Sequence, residues 1–272
     1  DIAAAPPEAA PAEAGEGATA AAAPAEAGAQ PGAAPAGATP APAAPRPPPY
    51  EPTPAAKRDA LAGAREASSD PNKALGLFLS AANLDPKFAA AHYNAGVMYE
   101  RMGRYGEAET EYKAATKANS AYFAAVENLG NLYVRQGKYA DAERVLLESI
   151  KRYPADLGLR NRLTSVWLAA GKADAAEKEA KKILKVDERN VGALLNLATV
   201  FFGRGQHELA TTVLTRAREI DPSEARTYIK LGFVLLAQDK KSEAVEAFRK
   251  ATELRDDLPE ALNNLGALYV ET

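Results

Sequence analysis

The sequence predicts an all-α protein made of repeated pairs of helices. Within residues 89–122, Ala95, Gly96 and Tyr99 share one face of a helix. Gly103 follows, where a chain reversal needs a helix breaker. A second helical face with similar spacing comes after it, formed by Ala108, Tyr112 and Ala115. The stretch therefore predicts a helix, a turn and a second helix.

The same residue types return every 34 residues. Successive shifts bring up Gly130, Tyr133, Gly137 and Ala142, then Ala198, Phe201, Gly205, Ala210 and Ala217, then Gly232, Ala244, Phe248 and Ala251, and finally Gly266 and Tyr269. A period of 34 with these residues is typical of tetratricopeptide repeats (TPRs). The sequence resembles this family over about residues 55–272, with no insertion or deletion. The resemblance implies a right-handed superhelical solenoid of helix-turn-helix repeats.

Residues 1–54 are predicted to be a disordered, Ala/Pro-rich tether. They hold 14 of the 19 prolines, and Ile2 is their only bulky aliphatic residue. So little apolar surface cannot offset the entropy of ordering the chain. The alternative is a ligand for a proline-binding groove, because residues 46–49 read Arg-Pro-Pro-Pro.

Residues 55–272 are predicted to form the TPR domain. Its repeats are 55–88, 89–122, 123–156, 157–190, 191–224 and 225–258, followed by a lone first helix, 259–272. Pro86, Pro154 and Pro222 occupy one slot just past the second helix, where proline stops a helix. Pro259 opens the last helix at a position where its missing N–H costs nothing.

Two repeats depart from the pattern. In repeat 55–88 the first helix has Ala62 and Arg65 where later repeats have glycine and an aromatic residue, which suits an N-terminal cap. Repeat 157–190 has Thr164 at the expected helix crossing and Ala180 at the aromatic position of the second helix. This repeat is expected to be the most loosely packed.

Small residues are expected where the two helices of a repeat cross, at Gly96, Gly130, Ala198, Gly232 and Gly266. Aromatic residues fill the layer beside them, at Tyr99, Tyr133, Trp167, Phe201 and Tyr269. Both sets are predicted to be core, and no cofactor is expected.

Charge and composition exclude several classes of protein. Residues 1–54 carry six acidic residues and one basic one, a net charge of −5, and the remainder carries +2. A near-neutral repeat domain lacks the basic face of a nucleic-acid-binding protein. No apolar run approaches the ~18 residues that span a bilayer. There is no cysteine, hence no disulfide or thiolate chemistry.

Catalysis is not expected in this chain. Its two histidines, His92 and His207, are 115 positions apart, and neither has a paired carboxylate or a cysteine arranged around it. His207 falls in the turn position held elsewhere by Tyr105 and Tyr139, which favours a packing role. No residue cluster has the spacing of metal ligands.

Binding is expected on the first helices, because the TPR resemblance implies that they line a concave groove. Asparagine recurs there at Asn94, Asn128, Asn196 and Asn264. This series resembles the asparagine ladder of the O-GlcNAc transferase family, whose amides hold a peptide backbone. An amide has both a donor and an acceptor and so matches a peptide group. The alternative is that asparagine is merely common at this position.

The two halves of the expected groove differ in polarity. The C-terminal half carries an apolar stripe: Leu168, Leu195, Phe202, Ile229, Phe233 and Leu236. Such a patch marks an interaction site unless it is covered by the protein itself. The N-terminal half is more polar and includes Tyr93, Glu100, Glu127 and Asn131. Arg101 and Arg135 lie one repeat apart on the same face and are expected to bind a carboxylate of the partner.

The sequence therefore predicts a non-enzymatic scaffold that binds an extended or helical segment of another protein within a multi-subunit assembly. One alternative is the substrate-recruiting arm of a larger enzyme, such as a glycosyltransferase. Another is self-association through the unpaired helix 259–272. The chain begins with Asp1 and ends inside a repeat, so we interpret it as a segment of a longer protein.

The compartment is expected to be periplasmic or associated with an outer membrane, with the cytoplasm as the alternative. An Ala/Pro-rich tether before a TPR array without cysteine resembles bacterial envelope proteins of pilus and gliding-motility machines.

Overall fold

The computed structural model describes residues 50–271, and side chains through Leu268. This part of the chain contains thirteen α-helices and no strand. In chain order they are α1 (Pro54–Glu66), α2 (Pro71–Leu84), α3 (Ala89–Arg101), α4 (Tyr105–Ala118), α5 (Phe123–Arg135), α6 (Tyr139–Arg152), α7 (Leu157–Ala169), α8 (Ala173–Val186), α9 (Val191–Gly203), α10 (His207–Ile220), α11 (Ala225–Ala237), α12 (Lys241–Leu254) and α13 (Pro259–Glu271). The all-α fold of helix-turn-helix units is confirmed. The predicted tether lies almost entirely outside the described residues.

Glycine allows the short turns inside the repeats. Gly103, Gly137, Gly171 and Gly205 have φ between +70° and +73°, a left-handed conformation that glycine adopts without steric cost. In the sixth repeat Asp239 takes this place with φ +59°. Aspartate is among the few other residues that tolerate this region. The turn of the sixth repeat therefore forms without a glycine.

The chain divides into two compact units, one through Ala169 and the other from Ala170. The division falls inside repeat 157–190, whose sequence departs most from the pattern. In the first unit, successive helices pack against each other from α1 to α7, and α5 also contacts α7. In the second unit the same holds from α8 to α13, and α9 contacts α11. The repeat limits and the domain boundary at residue 54 stay predictions.

Alanines and aromatic rings form the core of each unit. In the first unit Ala108, Tyr112 and Ala115 on α4 are fully buried. In the second unit the corresponding residues of α12 are also fully buried: Ala244, Phe248 and Ala251. Of the five predicted core aromatics, Tyr133 is buried and three are partly buried, namely Tyr99, Trp167 and Phe201. Tyr269 lies outside the described side chains.

The predicted helix crossings differ in tightness. A Cβ atom on Gly96 would lie 2.7 Å from the ring of Tyr112, and one on Gly232 would lie 2.6 Å from the ring of Phe248. A Cβ on Gly130 would lie 3.6 Å from Leu146, an ordinary contact. The expectation of a tight crossing at Gly130 is therefore wrong, because its second helix presents leucine instead of a ring.

The first repeat has a tight glycine of its own. A Cβ on Gly63 would lie 2.9 Å from Phe78, whereas the sequence pattern pointed to Ala62. The residue in contact therefore lies one position after the one that a strict period of 34 selects.

The chain just before α1 is fixed to the end of α2. The Tyr50 hydroxyl donates a hydrogen bond to the Asp85 carboxylate, and the Thr53 amide donates to its other oxygen at 2.9 Å. Burial and this hydrogen bond raise the pKa of Tyr50 to about 12. Residues 50–53 were expected to belong to the tether, but they are bound to the first repeat.

Candidate functional site

Three tyrosines of the first unit, two buried and one partly buried, form a cluster beside the first helices. The rings of Tyr93 and Tyr122 are 5.4 Å apart, and those of Tyr93 and Tyr112 are 6.0 Å apart. Burial raises the pKa of all three hydroxyls, that of Tyr122 to about 12. Tyr93 was expected to face a partner, but it is only 6% exposed. It is therefore mainly a core residue.

A chain of hydrogen bonds runs from this cluster to the surface of the first helices. The Tyr112 hydroxyl donates to Glu100 at 2.5 Å, and Arg135 forms an ion pair with the other oxygen of the same carboxylate. Arg101 donates to the carbonyl oxygen of Ala67 at 2.8 Å. The two arginines were expected to hold a partner's carboxylate, but each already binds an oxygen of the preceding repeat. Arg135 in particular already has a carboxylate partner within the chain, that of Glu100.

The predicted asparagine ladder is only partly accessible. Asn94 and Asn196 are buried, at 7% and 8% exposure. Asn128 is half-buried, and its amide nitrogen lies 3.4 Å from the Tyr93 hydroxyl and 3.3 Å from the Tyr112 hydroxyl. Asn264 donates to the carbonyl of Glu260, one turn earlier. The amides of Asn128 and Asn264 therefore make hydrogen bonds within the chain, and the role of the series in peptide binding stays a prediction.

A half-buried acidic group, Glu127, lies next to Asn128 in the sequence. Burial raises the pKa of Glu127, and nearby Asp156 adds to the rise while Arg162, at 3.8 Å, opposes it. Asn131, one turn further along α5, is half-buried. Glu100, Glu127, Arg135 and Arg162 are therefore paired with one another within this unit.

The predicted apolar stripe separates into covered and accessible residues. Leu195 and Ile229 are each 3% exposed and belong to the core of the second unit. Their expected exposure is not found, because they pack within the helix layers. Phe202 is 36% exposed. The half-buried residues are Leu168 in the first unit, and Phe233 and Leu236 in the second.

The accessible apolar residues of the second unit occupy related positions. Phe202 and Leu236 are 34 residues apart, near the ends of the first helices α9 and α11. Phe202 packs on the imidazole of His207, with ring centres 5.5 Å apart. Phe233 packs edge-on against Phe248 at 5.4 Å, so it is partly a core residue. Leu236 also packs partly on the core, so in the second unit Phe202 is the exposed residue of the stripe and Leu236 keeps part of its surface.

One histidine has an acidic neighbour that the sequence did not indicate. His92 Nδ1 lies 2.7 Å from a carboxylate oxygen of Glu111 on α4, and both side chains are largely buried. The pair forms because α3 and α4 lie side by side, so residues 19 apart come into contact. Within residues 50–271, no three His, Cys, Asp or Glu residues are grouped to hold a metal ion. None of the helices there is both long and apolar enough to cross a membrane.

A series of contacts between repeats was not predicted. Glu109, Glu143 and Glu177 are spaced 34 residues apart on second helices. Each accepts a hydrogen bond from the first helix of the next repeat or from the residue just after it: from the Tyr133 hydroxyl at 2.9 Å, from the Trp167 indole at 2.9 Å and from Arg204 at 2.5 Å. The 34-residue spacing of these glutamates is the sequence feature from which the contacts could have been predicted.

Comparisons with known proteins agree with this geometry. Two tetratricopeptide repeat models match the sequence, one over residues 60–123, 99–157 and 127–185, the other over 190–257. No curated protein sequence matches. Neither result bears on the expected envelope location, which stays a prediction.

Three solved structures share the fold at low sequence identity. A tetratricopeptide repeat protein from Parabacteroides merdae is 19% identical, with a TM-score of 0.69, over 79% of this chain and 84% of its own. Yeast Tom70 is 20% identical, with a TM-score of 0.62, over 80% of this chain and 48% of its own. A chain of the APC/C hetero-tetramer Cut9–Hcn1 is 16% identical, with a TM-score of 0.57, over 78% of this chain and 42% of its own.

The family models together span most of residues 60–257, and from α3 onward the first helices and the turns after them recur every 34 residues. The chain therefore belongs to the tetratricopeptide repeat family.

Proposed function

We propose that this protein is an interaction scaffold that binds an apolar segment of another protein on its first helices. The supporting observation is that Phe202 and Leu236 keep accessible surface at equivalent positions of α9 and α11. Proteins of this fold generally mediate protein–protein interaction, and the Cut9–Hcn1 structure is an assembly of several chains. A place in a multi-subunit complex is part of the proposal.

The chemistry of the surface indicates the kind of segment that it binds. Leu195 and Ile229, seven residues before Phe202 and Leu236 on α9 and α11, are buried in the apolar core of this unit. Phe202 stands at its edge, partly supported by His207. An exposed aromatic side chain that is already packed on one side loses little conformational entropy on binding and suits an anchor for a hydrophobic side chain.

The proposal can be tested with peptides selected from a displayed random library against the full chain. Truncating Phe202 to alanine should weaken the selected apolar peptides by about 2 kcal/mol, the usual loss at an aromatic anchor. Leu209→Ala is the matched control, because Leu209 is 49% exposed but lies on the second helix α10. Calorimetry should show a negative heat-capacity change, the mark of apolar burial.

Two outcomes would contradict the proposal. Selected peptides that bind Phe202→Ala as tightly as the parent would place the site elsewhere. Affinity lost equally in Phe202→Ala and Leu209→Ala would indicate non-specific apolar contact. Both variants should still melt cooperatively, with a small decrease in melting temperature for Phe202→Ala because its ring packs on His207.

A further inference from the structure

Helix α8 carries four lysines on its outward face. Their spacing is i, i+3, i+4 and i+7, so they share one side of the helix over about two turns: Lys178, Lys181, Lys182 and Lys185. All four are exposed, and we call them the lysine stripe. The opposite face packs into the core through Ala176, Ala180 and Ile183, which are fully buried. This packing fixes the rotation of α8 and keeps the stripe in solvent.

The carboxylates beside the lysine stripe lie deeper than its ammonium groups. Glu177 pairs with Lys181 and with Arg204, and its side chain is 19% exposed, against 56% for Lys181. Glu179 pairs with Lys182 at 3.1 Å and is 11% exposed, against 53% for that lysine. The outermost charges along this part of α8 are therefore positive.

The positive charge of the stripe is only partly compensated within the chain. Lys178 and Lys185 form no ion pair with any residue that the structure describes. Lys178 and Lys182 are four residues apart, as are Lys181 and Lys185, and like charges at this spacing destabilise a helix. An anionic partner would remove this repulsion, because it would neutralise both members of each pair.

The other second helices that the structure describes do not carry four residues of one charge on this face. On α12 the corresponding surface mixes both signs, and Glu253 pairs with Lys250 at 3.1 Å. The residues at the four positions are Gly76, Leu79, Ser80 and Asn83 on α2; Thr110, Lys113, Ala114 and Lys117 on α4; Arg144, Leu147, Glu148 and Lys151 on α6; Thr212, Thr215, Arg216 and Glu219 on α10; and Glu246, Arg249, Lys250 and Glu253 on α12.

The lysine stripe is one helix wide, which indicates the shape of its partner. Glu188, three residues after Lys185, is 80% exposed, and Glu219 takes the repeat position of Lys185 on α10. A flat anionic bilayer that covered neighbouring helices would also meet these carboxylates. An elongated acidic segment can follow α8 alone, so charge and shape together favour a peptide segment.

We propose that the lysine stripe binds an acidic segment of a partner protein. The segment lies along α8 and presents Asp or Glu carboxylates over about 10 Å, the rise of the helix from Lys178 to Lys185. Each ammonium group donates a charge-assisted hydrogen bond to one of them. Lys178 and Lys185 contribute most, because they give up no ion pair within the chain. This surface is on a second helix, separate from Phe202 and Leu236, and does not depend on the function proposed for them.

A dye-labelled peptide of ten residues, alternating glutamate and serine, tests the proposal when it is titrated with the full chain at low ionic strength. Fluorescence anisotropy should show saturable binding with a Kd below ~1 mM. Raising the salt concentration should weaken it severalfold, because salt screens exposed charges. Lys178→Gln combined with Lys185→Gln should weaken it at least about fivefold. The same peptide with glutamine for glutamate should not bind.

The matched control is Lys117→Gln combined with Lys151→Gln. These exposed lysines hold the repeat position of Lys185 on α4 and α6, so the control removes the same net charge and should leave the affinity unchanged. Circular dichroism should show both double variants folded, because all four substituted residues are exposed.

Four results of the titration would overturn the proposal: absence of saturable binding, equal binding of the glutamine peptide, an intact affinity in the double variant of the stripe, or an equal loss in the control. A membrane ligand is tested with phosphatidylserine vesicles. Sedimentation of the parent with these vesicles that is lost in the variant of the stripe, and that the acidic peptide does not compete, would also overturn it.

Discussion

At the scale of single residues, the packing partner of a glycine decides whether that glycine is needed. Gly96 meets the ring of Tyr112, but Gly130 meets the smaller side chain of Leu146. Both glycines lie in helices, where glycine is less stable than alanine by roughly 0.5–1 kcal/mol. The same substitution should therefore have opposite effects at the two sites.

We expect Gly96→Ala to lower the free energy of unfolding by about 1–3 kcal/mol, because Tyr112 is fully buried and has no room to move away from the new Cβ. Gly130→Ala should instead raise it by about 0.5–1 kcal/mol. Denaturant unfolding of both variants measures the difference. Equal effects at the two positions would show that the ring contact does not matter.

Two fully buried threonines provide a second comparison. Thr164 donates its hydroxyl to the carbonyl oxygen of Arg160 at 2.8 Å. The Thr227 hydroxyl has no partner among the described residues. An unsatisfied buried hydroxyl carries a cost of roughly 1–3 kcal/mol.

Thr227→Val should therefore stabilise the protein by about 1 kcal/mol, because it removes a polar group that makes no bond. Thr164→Val removes a hydrogen bond and should be neutral or destabilising. Thermal melts of the two variants test this. A more stable Thr164→Val beside an unchanged Thr227→Val would contradict the expectation.

At the scale of helices, neighbouring repeats are joined by glutamates of the second helices. Glu143 on α6 accepts the hydrogen bond of the Trp167 indole, and Trp167 is the protein's only tryptophan. The fluorescence of Trp167 therefore reports on this contact.

Removing the carboxylate in Glu143→Ala should cost about 1 kcal/mol and shift the fluorescence of Trp167, whose N–H then loses its partner. Glu148→Ala is the control, since its side chain on the same helix is 68% exposed. Unchanged emission in Glu143→Ala would mean that the indole does not depend on this bond.

The contact of residues 50–53 with α2 should depend on pH. Burial disfavours the charged form of Asp85, but hydrogen bonds from Tyr50 and the Thr53 and Lys87 amides outweigh it and lower the pKa. A carboxylate whose pKa is lowered by folding contributes stability above its unfolded pKa of about 3.8 and loses it as the pH falls through the folded pKa.

Asp85→Asn should therefore lower the unfolding free energy by about 1–2 kcal/mol at pH 7, with the difference shrinking below pH ~3.8. Asp256→Asn, at an exposed position, should have little effect at either pH. Denaturation curves at pH 7 and pH 3 give both values. A deficit that persists unchanged at pH 3 would point to a steric cause.

At the scale of the whole molecule, contacts within each unit join helices that are near in sequence. Stability in such repeat proteins is approximately a sum of repeat and nearest-neighbour terms. A local defect is therefore expected to remain local.

Hydrogen exchange in Gly96→Ala should rise in residues 89–122 and in the two adjacent repeats, and it should stay unchanged in the unit that begins at Ala170. A Gly232→Ala variant is the reciprocal test, with the increase confined to that second unit. Uniform acceleration along the chain in either variant would show global cooperativity.

The sequence by itself determined the repeat, since a period of 34 and glycine turns are local properties of the chain. It also placed Tyr112, Phe248 and the alanines beside them on one face of their helices, because the helical period fixes which residues share a face, and these residues are buried. Which residues of the expected groove remain accessible depended instead on the packing of neighbouring helices. Leu195 and Phe202 lie seven residues apart on one helix, yet neighbouring helices cover the first and leave the second exposed.

The contacts of polar groups likewise depended on the tertiary structure. Arg135 and His92 acquire carboxylate partners from other helices, and the strength of such pairs depends on distance and burial, which no spacing in the sequence specifies. The sequence determines which side chains a helix presents on each face. The packing of the next helix determines whether they are buried, paired or open to a partner.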